Sequence, residues 1–343
     1  MRNAVKDISH RKRGASHLVA QGKGISPKTL RALYIAMLRI RRVEERLVEL
    51  YHEQEIRCPT HFHIGQEAVS AGVCTCLRND DVLFCSHRSH APYIAKGGDL
   101  NGLVAEMYGK VTGCCKGKAG SQHLMAPEVG LLGTSAIVGG TLPIAVGAAL
   151  AFSMRHEKKI AAAIFGDGGV EEGVFQESLN FAALRRLPVV FICENNLYAT
   201  HSHISARQAK DNIFRRGEIF GIIGYRTDGN DVLQVYRACR QAVECARRGG
   251  GPTLIECRTY RWLEHVGPCD DSDLGYRPRE EIERWKRRCP VKLFEKVLLR
   301  KGVLSQQQIK DISSSIDREI EEAVRFAKGS PYPPEDELMK DIF

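Results

Sequence analysis

Two short polar motifs stand out in this sequence because each follows an apolar segment. A GDG motif at 166–168 follows the apolar residues 160–165, and an Asn-Asn pair at 195–196 comes shortly after the apolar residues 189–193. A helix-length stretch separates the two motifs, so the pattern predicts a βαβ unit. The carboxyl ends of its two parallel strands then share one edge of the sheet, where open α/β sheets bind their ligands.

The side chains at this edge predict a magnesium site. Asp167 supplies a hard carboxylate oxygen, and Asn196 supplies an amide oxygen from the next loop. We assign a third ligand, a backbone carbonyl, to Tyr198. Together with phosphate oxygens, these groups suit the octahedral, all-oxygen coordination that Mg²⁺ requires.

The glycines around Asp167 predict that the metal bridges to a diphosphate. Gly166, Gly168 and Gly169 lack side chains, so the backbone can approach a ligand closely there. A helix expected to begin near Glu171 would point its N-terminal N–H groups toward the phosphates. The residues therefore predict a site for a magnesium diphosphate ligand.

A nucleotide-binding dehydrogenase is the alternative that this motif raises, because Gly166 and Gly168 follow a predicted strand. The third glycine, Gly173, comes five residues later instead of three. An aspartate between the first two glycines would also repel a pyrophosphate unless a metal intervened. The pattern thus favours the metal-bridged site.

The spacing of the GDG and Asn-Asn motifs resembles the thiamine diphosphate signature, and the chain from about Leu30 to Phe326 resembles one family. That family comprises the alpha subunits of the first component of 2-oxo acid dehydrogenase complexes, of the pyruvate, branched-chain and acetoin type. The resemblance implies thiamine diphosphate and Mg²⁺ as cofactors. It also implies an α/β fold with three α/β/α layers around a doubly wound parallel sheet, extended by helices at both ends.

The family resemblance and the change in composition along the chain predict three parts. We expect a basic N-terminal arm at 1–27, an α/β domain that binds the diphosphate half of the cofactor at 28–275, and a helical C-terminal extension and tail at 276–343. Within this frame, apolar periodicity predicts the main elements. They are helices at 28–56 and 141–153, a helix opening at 65–68, strands at 82–86, 160–165, 189–193 and 253–257, and charged helices within 279–328.

The resemblance also assigns cofactor contacts outside the two motifs. His87 and Arg88, after the predicted strand 82–86, match the family's diphosphate-binding pair, and an arginine there can make charge-assisted hydrogen bonds to phosphate. Ala136 and Val138 lie in a loop that resembles the one against the thiazolium ring, with Val138 as the apolar wedge.

Two histidines are candidates for catalysis. His61 matches the family's H-x-x-x-G-Q-E-A segment, which implies a place on the substrate side of the cofactor. His265 follows the strand 253–257 and matches a histidine that contacts the cofactor and assists acyl transfer; imidazole exchanges protons near neutral pH. His61 and His63 also form an HxH pair typical of zinc sites, but no Asp, Glu or Cys at metalloenzyme spacing accompanies them.

The loop around His265 departs from the family pattern. Val266 replaces the usual serine, which removes the phosphate acceptor at that position, and Leu263-Glu264 replaces the usual His-Gly. Because this loop faces the substrate and the carrier, the departure opens a second interpretation. It is a two-subunit thiamine diphosphate enzyme that moves a two-carbon unit to an aldehyde, sugar or ketone without a lipoyl carrier.

The leading interpretation names both the reaction and the partners. The resemblance implies decarboxylation of a small 2-oxo acid and transfer of the acyl group to a lipoyl carrier, with a lipoyl acyltransferase as a possible partner. A chain of 343 residues has little room for a second cofactor-binding domain. In two-chain members the glutamate that contacts the aminopyrimidine comes from a beta subunit, so we expect an α2β2 heterotetramer.

Composition sets the remaining expectations. The net charge of +9 is spread along the chain among acidic residues, which does not favour nucleic-acid binding and suits an acidic protein partner. No apolar run is long enough to span a membrane. Twelve cysteines without a CxxC pair predict a reducing cytoplasm. The basic N-terminal segment has no apolar signal core, so we expect an arm, with an organelle transit peptide as the alternative.

Overall fold

The computed structural model describes residues 24–340. Most of the predicted N-terminal arm, residues 1–23, lies outside this range, as do residues 341–343 at the end of the predicted tail. No helix in the described range is long and apolar enough to cross a membrane.

A six-stranded parallel sheet forms the centre of the protein. Its strands lie in the order β2-β1-β3-β4-β8-β7, and a short antiparallel hairpin, β5-β6, follows β4 in the chain. The strands are β1 Val82–Ser86, β2 Leu131–Ser135, β3 Ala161–Gly166, β4 Val189–Asn195, β5 Tyr198–Ala199, β6 Ser202–His203, β7 Ile223–Asp228 and β8 Thr253–Arg258.

Helices cover both faces of the sheet, as a parallel sheet requires. They are α1 Pro27–Tyr51, α2 Glu67–Cys74, α3 His90–Lys96, α4 Leu100–Met107, α5 Thr141–Met154, α6 Gly173–Leu184, α7 Ile204–Arg207, α8 Val232–Arg247, α9 Arg279–Lys286, α10 Pro290–Arg300 and α11 Gln306–Gly329.

Alternate side chains of each strand enter two separate apolar cores. In β1, Leu83 and Cys85 pack with α1–α4, α8, α10 and α11, whereas Val82 and Phe84 pack with α5 and α6 on the opposite face. This two-sided burial follows from the alternation of side chains along a strand. The three-layer α/β/α fold with a doubly wound parallel sheet is thereby confirmed.

Several predicted boundaries need correction. The first helix ends at Tyr51 and not at residue 56. The helix expected near Glu171 begins at Gly173, because a single 3₁₀ turn, Asp167–Glu171, comes before it. The two edge strands, β2 around Gly133 and β7, are absent from the predicted elements.

The C-terminal helices follow the sequence closely. Ser305 caps α11 through its side chain, and the side chain of Gln308 accepts from the backbone N–H of Ser305, so the two residues form a capping box. The helix packs against α4 and α1, which joins the extension to the same apolar core as the sheet. All twelve cysteines lie in the described range, and each is a free thiol.

Candidate active site

The order of the strands places the candidate site at a reversal in the sheet. From β1 the chain moves to β2 on one side and then returns to β3 on the other side. Helices on opposite faces therefore separate at the carboxyl ends of β1 and β3, and open α/β sheets bind ligands at such a point. The predicted residues at 87–88 and 166–168 follow these two strands.

A cavity of about 260 Å³ opens at this edge. It brings together all the predicted site residues except His61 and Ala136, which do not line it. Those that line it are His87, Arg88, Val138, Gly166, Asp167, Gly168, Gly169, Asn196, Tyr198 and His265.

Arg88, at the end of β1, is a buried cation without an anionic partner. Its side chain donates to the backbone carbonyls of Phe62 and His265, and no described carboxylate forms an ion pair with it. Burial, reinforced by the charge of Arg261, lowers the pKa of Arg88 to about 9. A buried charge is costly unless it is paired, so this guanidinium is suited to a bound anion such as a phosphate group.

Asp167, at the end of β3, is the buried acid of the site. Its carboxylate is 1% exposed and forms an ion pair with Arg207, which also pairs with Glu171. Burial raises the pKa of Asp167, whereas the charge of Arg207 opposes that rise. Carboxylate oxygens are ligands that Mg²⁺ prefers, and a metal here would share this carboxylate with the guanidinium of Arg207.

Two asparagines at the end of β4 have different roles. Asn195 is structural, because its side chain donates to Glu256 (2.7 Å) and accepts from the backbone N–H of Leu197 (3.2 Å). Asn196 donates its amide to Oε1 of Gln66 (2.9 Å), while its Oδ1 accepts from the N–H of Tyr198 (3.2 Å). These two bonds fix which amide atom is oxygen, and that oxygen is the one a metal would use.

The turn between these asparagines and Tyr198 is conformationally demanding. Leu197 adopts a left-handed conformation with φ 78°, which is uncommon for a residue with a side chain. A strained backbone conformation persists only where surrounding contacts stabilise it. Here the side chains of Asn195 and Asn196 accept hydrogen bonds from the backbone N–H groups of Leu197 and Tyr198. In this conformation, Asn196 and Tyr198 on either side of Leu197 both line the cavity.

The side chain of Tyr198 points away from any metal position. Its hydroxyl donates to Glu281 of α9 (2.8 Å), and its ring packs against Tyr260 and Tyr276. Only the backbone of Tyr198 is therefore available as the predicted ligand, and the side chain anchors the loop to the C-terminal extension.

The glycine motif shapes the floor of the cavity. A Cβ atom on Gly166 would meet no atom within 4 Å, so the space above it belongs to the cavity. A Cβ on Gly168 would lie 3.0 Å from the Cβ of Ala199, which explains the need for glycine there by packing. On the facing loop, Val138 is half-exposed and lines the cavity beside Gly139.

Three histidines converge on the opposite side of the cavity. The ring centroid of His61 lies 4.4 Å from that of His87 and 4.9 Å from that of His265, and the last two are 5.5 Å apart. The three come from the segment before α2, the end of β1 and the loop after β8. His61 thus joins the site through its neighbours although it does not line the cavity itself.

The electrostatic environment keeps these imidazoles neutral. Burial and then the charge of Arg88 lower the pKa of His87 to about 4 and that of His265 to about 3. The same two causes lower the pKa of His61. An anionic group in the cavity would raise the pKa values of all three histidines toward pH 7. The histidines are thus poised to exchange protons when negative charge is present.

The loop at 263–271 is ordered by short-range contacts. Glu264 accepts from the N–H of Cys269 (2.8 Å), and the N–H of Gly267 donates to the carbonyl of Thr60 (2.8 Å). Gly267 has φ 113°, a conformation that favours glycine. These bonds tie the loop to the segment that carries His61, which explains how His265 reaches the cluster.

His63 belongs to a different set of contacts from His61. Its Nε2 lies 3.0 Å from the carboxylate of Glu194, and its backbone N–H donates to Glu44. Burial alone would lower the pKa of His63, but the charge of Glu194 raises it above the usual value. The two histidines of the HxH pair therefore do not bind one metal together.

Sequence reasoning missed three residues of this site. Arg207 pairs with Asp167, Gln66 orients Asn196, and Glu194 lines the cavity beside His63. Glu194 directly precedes the Asn-Asn pair at the end of a strand, which is a usable signal. Arg207 lies forty residues from its partner within a hydrophilic segment, and no local pattern indicates the pairing.

The described residues fit a magnesium diphosphate ligand. Arg88 is a buried cation without an ion pair, and Asp167 is a buried carboxylate at the same cavity. Asn196 holds its amide oxygen in a fixed orientation between them. A metal at Asp167 would share that carboxylate with Arg207, because Arg207 contacts its Oδ2 atom.

The sequence also matches known proteins over most of its length. Residues 35–335 match the family described as dehydrogenase E1 component. The chain belongs to this family. The alpha-subunit resemblance predicted from the sequence is therefore confirmed, and the chain is an enzyme subunit. Membership implies thiamine diphosphate as the cofactor of the family.

Curated relatives agree on the type of subunit. The alpha subunit of acetoin:2,6-dichlorophenolindophenol oxidoreductase from Bacillus subtilis is 38% identical, covering 95% of this chain and 97% of the relative. A chloroplastic pyruvate dehydrogenase E1 component subunit alpha-3 from Oryza sativa is 38% identical, covering 91% and 75%. Pyruvate dehydrogenase E1 component subunit alpha from Rickettsia felis is 36% identical, covering 90% and 93%. Since all three are alpha subunits, a beta-type partner chain is implied.

Proposed function

We propose that this chain is the alpha subunit of a two-chain enzyme that decarboxylates a 2-oxo acid and passes the acyl group to a lipoyl carrier. Mg²⁺ and thiamine diphosphate are the proposed cofactors, and α2β2 is the proposed assembly. The observation that carries the proposal is the meeting of Asp167, Asn196 and Arg88 at one cavity beside three histidines. The relatives named as pyruvate dehydrogenase alpha subunits support the same reaction.

Each proposed ligand has a defined task. Asp167, the amide oxygen of Asn196 and the carbonyl of Tyr198 would hold the metal, and Arg88 would hold the diphosphate. The 3₁₀ turn and the start of α6 at Gly173 direct backbone N–H groups toward the same region. Bound thiamine diphosphate supplies the carbanion that attacks the 2-oxo acid.

On the substrate side, His265 and His61 are the proposed catalytic residues. His265 is the candidate for proton transfer during acyl transfer, because it lines the cavity from a loop that also reaches the surface. His61 lies behind it, in contact with both His87 and His265. Val138 and Ala136 belong to the loop proposed to lie against the cofactor ring.

An exposed apolar surface supports a partner subunit. Its large side chains lie on α5, on α6 and on the loop before α5, and one of them, Val138, also lines the cavity. Its members are Ile137, Val138, Ile144, Met154, Phe181 and Leu184. Exposed apolar side chains on neighbouring helices are a feature of interaction sites, and the proposed partner here is the beta chain that would complete the active site.

The proposal also covers domains and compartment. We propose residues 28–275 as the domain for the diphosphate half of the cofactor and 276–343 as a helical extension.

Twelve free thiols support the cytoplasm as the compartment, since oxidising compartments favour disulfides. A lipoyl acyltransferase is the proposed consumer of the acyl group.

The test is activity with and without the partner. This chain would be purified alone and co-purified with a candidate beta chain, and both samples assayed with pyruvate, branched-chain 2-oxo acids and acetoin. We expect turnover only in the two-chain sample, in the presence of Mg²⁺ and thiamine diphosphate. Reduction of an added lipoyl domain then identifies the acceptor.

Two outcomes would contradict the proposal. Robust turnover by this chain alone would overturn the two-chain assembly. Carboligation of aldehydes or sugars, without any requirement for a lipoyl domain, would replace the proposed reaction by the transferase alternative.

A further inference from the structure

The three clustered histidines have the composition of a metal site. One ring nitrogen atom from each of His61, His87 and His265 lies within 4.8 Å of the other two. Three imidazoles with an open fourth position are a common protein environment for Zn²⁺, with Zn–N distances of about 2.0–2.1 Å. Tetrahedral geometry at those distances needs nitrogen atoms about 3.3 Å apart, so small side-chain rotations would close the site.

The hydrogen bonding of the cluster leaves its nitrogen atoms available. Neither ring nitrogen of His87 or His265 has a hydrogen-bond partner among residues 24–340. The side-chain nitrogen of Gln122 donates to Nδ1 of His61 (3.3 Å), so His61 can bind a metal through Nε2 only if the Gln122 amide turns and its oxygen accepts a hydrogen bond from Nδ1–H. The open side of the cluster faces the cavity that His87 and His265 line.

The cluster selects a different ion from the proposed magnesium site. Imidazole nitrogen suits Zn²⁺, Cu²⁺ and Ni²⁺, whereas Mg²⁺ prefers the oxygen atoms of Asp167 and Asn196. The charge of Arg88 lies close by and opposes a second cation. A diphosphate bound to Arg88 would offset that charge.

We propose that His61, His87 and His265 form a site for a divalent transition metal ion, with Zn²⁺ as the probe, and that its occupation inhibits the enzyme. A metal held there would occupy the two proposed catalytic imidazoles, His61 and His265. The inhibition rests on the proposed function, but the binding does not.

Binding is tested by titration of the assembled two-chain enzyme with Zn²⁺ against a chromophoric chelator, with Mg²⁺ and thiamine diphosphate saturating. A second cluster, formed by Glu106, Cys114 and Cys115, can also hold a metal. The titrations therefore use a Cys114→Ser, Cys115→Ser background. We expect one Zn²⁺ per alpha chain, and visible absorption typical of tetrahedral nitrogen coordination when Co²⁺ replaces it.

Variants locate the site. His61→Ala and His265→Ala should each weaken Zn²⁺ binding at least about 10-fold, since even outer-sphere changes alter metal affinity by about 10–100-fold. The control is His201→Ala, an exposed histidine outside the cluster, which should leave the affinity unchanged. Equal Zn²⁺ affinity in the two cluster variants and the unmodified chain would overturn the site.

Inhibition is measured in parallel by decarboxylase activity. The concentration of Zn²⁺ that halves activity should match the binding constant measured in the Cys114→Ser, Cys115→Ser background. Stoichiometric binding without inhibition would overturn the inhibitory role. An enzyme that binds Zn²⁺ at the cluster but decarboxylates no 2-oxo acid would contradict the proposed function alone.

Discussion

The two sides of the cavity are built in different ways. On the cofactor side, Asp167 and Asn196 each directly follow a central strand, and short-range bonds fix the turns that carry them. On the substrate side, His61 and His265 come from segments far apart in the chain, and they meet beside the cofactor contact His87. The cofactor side is thus encoded locally, whereas the substrate side depends on tertiary packing. Substitutions among the substrate-side residues can therefore change the reaction while the residues that bind the cofactor stay in place.

The loop at 263–271 illustrates this separation. Its sequence departs from the family pattern, yet Gly267 still anchors it to Thr60 and His265 still reaches the cavity. The position of the histidine therefore survives a change in the residues around it. The two sides should respond separately to mutation, and the following experiments test that expectation.

The largest effect is expected for His265→Ala. General acid–base groups contribute about 10²–10⁴-fold to a rate, so acyl transfer to the lipoyl domain should slow by that factor. Affinity for thiamine diphosphate should change little, and decarboxylation with an artificial electron acceptor should suffer less. Stopped-flow measurement of each half-reaction separates these steps. A well-folded variant that transfers acyl groups at the original rate would remove His265 from catalysis.

A smaller effect is expected for Arg88→Gln. Hydrogen bonds to charged groups contribute about 1.5–3 kcal/mol, so cofactor affinity should fall about 10- to 100-fold. The turnover number at saturating cofactor should fall less than the affinity does. The matched control is Arg325→Gln, an exposed arginine on α11, with no expected change. Calorimetric affinities equal to those of the unmodified enzyme would contradict the diphosphate role of Arg88.

The smallest effect concerns stability at acid pH. The folded-state pKa of His87, about 4, lies below its usual value, so the unfolded chain takes up the proton first. The free energy of unfolding should fall as the pH drops below about 6.5, and the contribution of His87 should be lost by about pH 4.

His87→Asn should reduce that pH dependence by on the order of 1 kcal/mol, because a neutral side chain cannot take up the proton. Denaturant unfolding of the cofactor-free assembled enzyme at pH 7 and pH 5 measures the difference. Identical changes in unfolding free energy for the variant and the original enzyme would show that His87 is not held neutral by burial.

The sequence predicted the cofactor side far better than its surroundings. Strand β1, Val82–Ser86, and the ends of β3 and β4 were predicted because uninterrupted apolar runs stop at polar motifs. Strand β2 was missed because Gly133 and polar neighbours resemble a turn, and its strand conformation depends on pairing with β1. The intrinsic strand propensity of its residues does not predict a strand that forms because it pairs with a neighbouring strand.

The same limit applied to the site. The separate candidate histidines were named from the sequence, but their convergence was not, because it results from the packing of three distant segments. The pairing of Arg207 with Asp167 was invisible for the same reason. The different roles of Asn195 and Asn196 emerged only from their hydrogen bonds. The assigned roles of the site residues stay predictions until they are measured.

The central claim is that Asp167 holds the metal that links the chain to the diphosphate. Calorimetry on the assembled enzyme, with Mg²⁺ present, should show binding of thiamine diphosphate to the unmodified protein and to the control Asp80→Ala, which changes an exposed acid. Asp167→Ala and the isosteric Asp167→Asn should bind at least about 10-fold more weakly while remaining folded by circular dichroism. Binding as tight as that of the unmodified enzyme in both Asp167 variants would contradict the account.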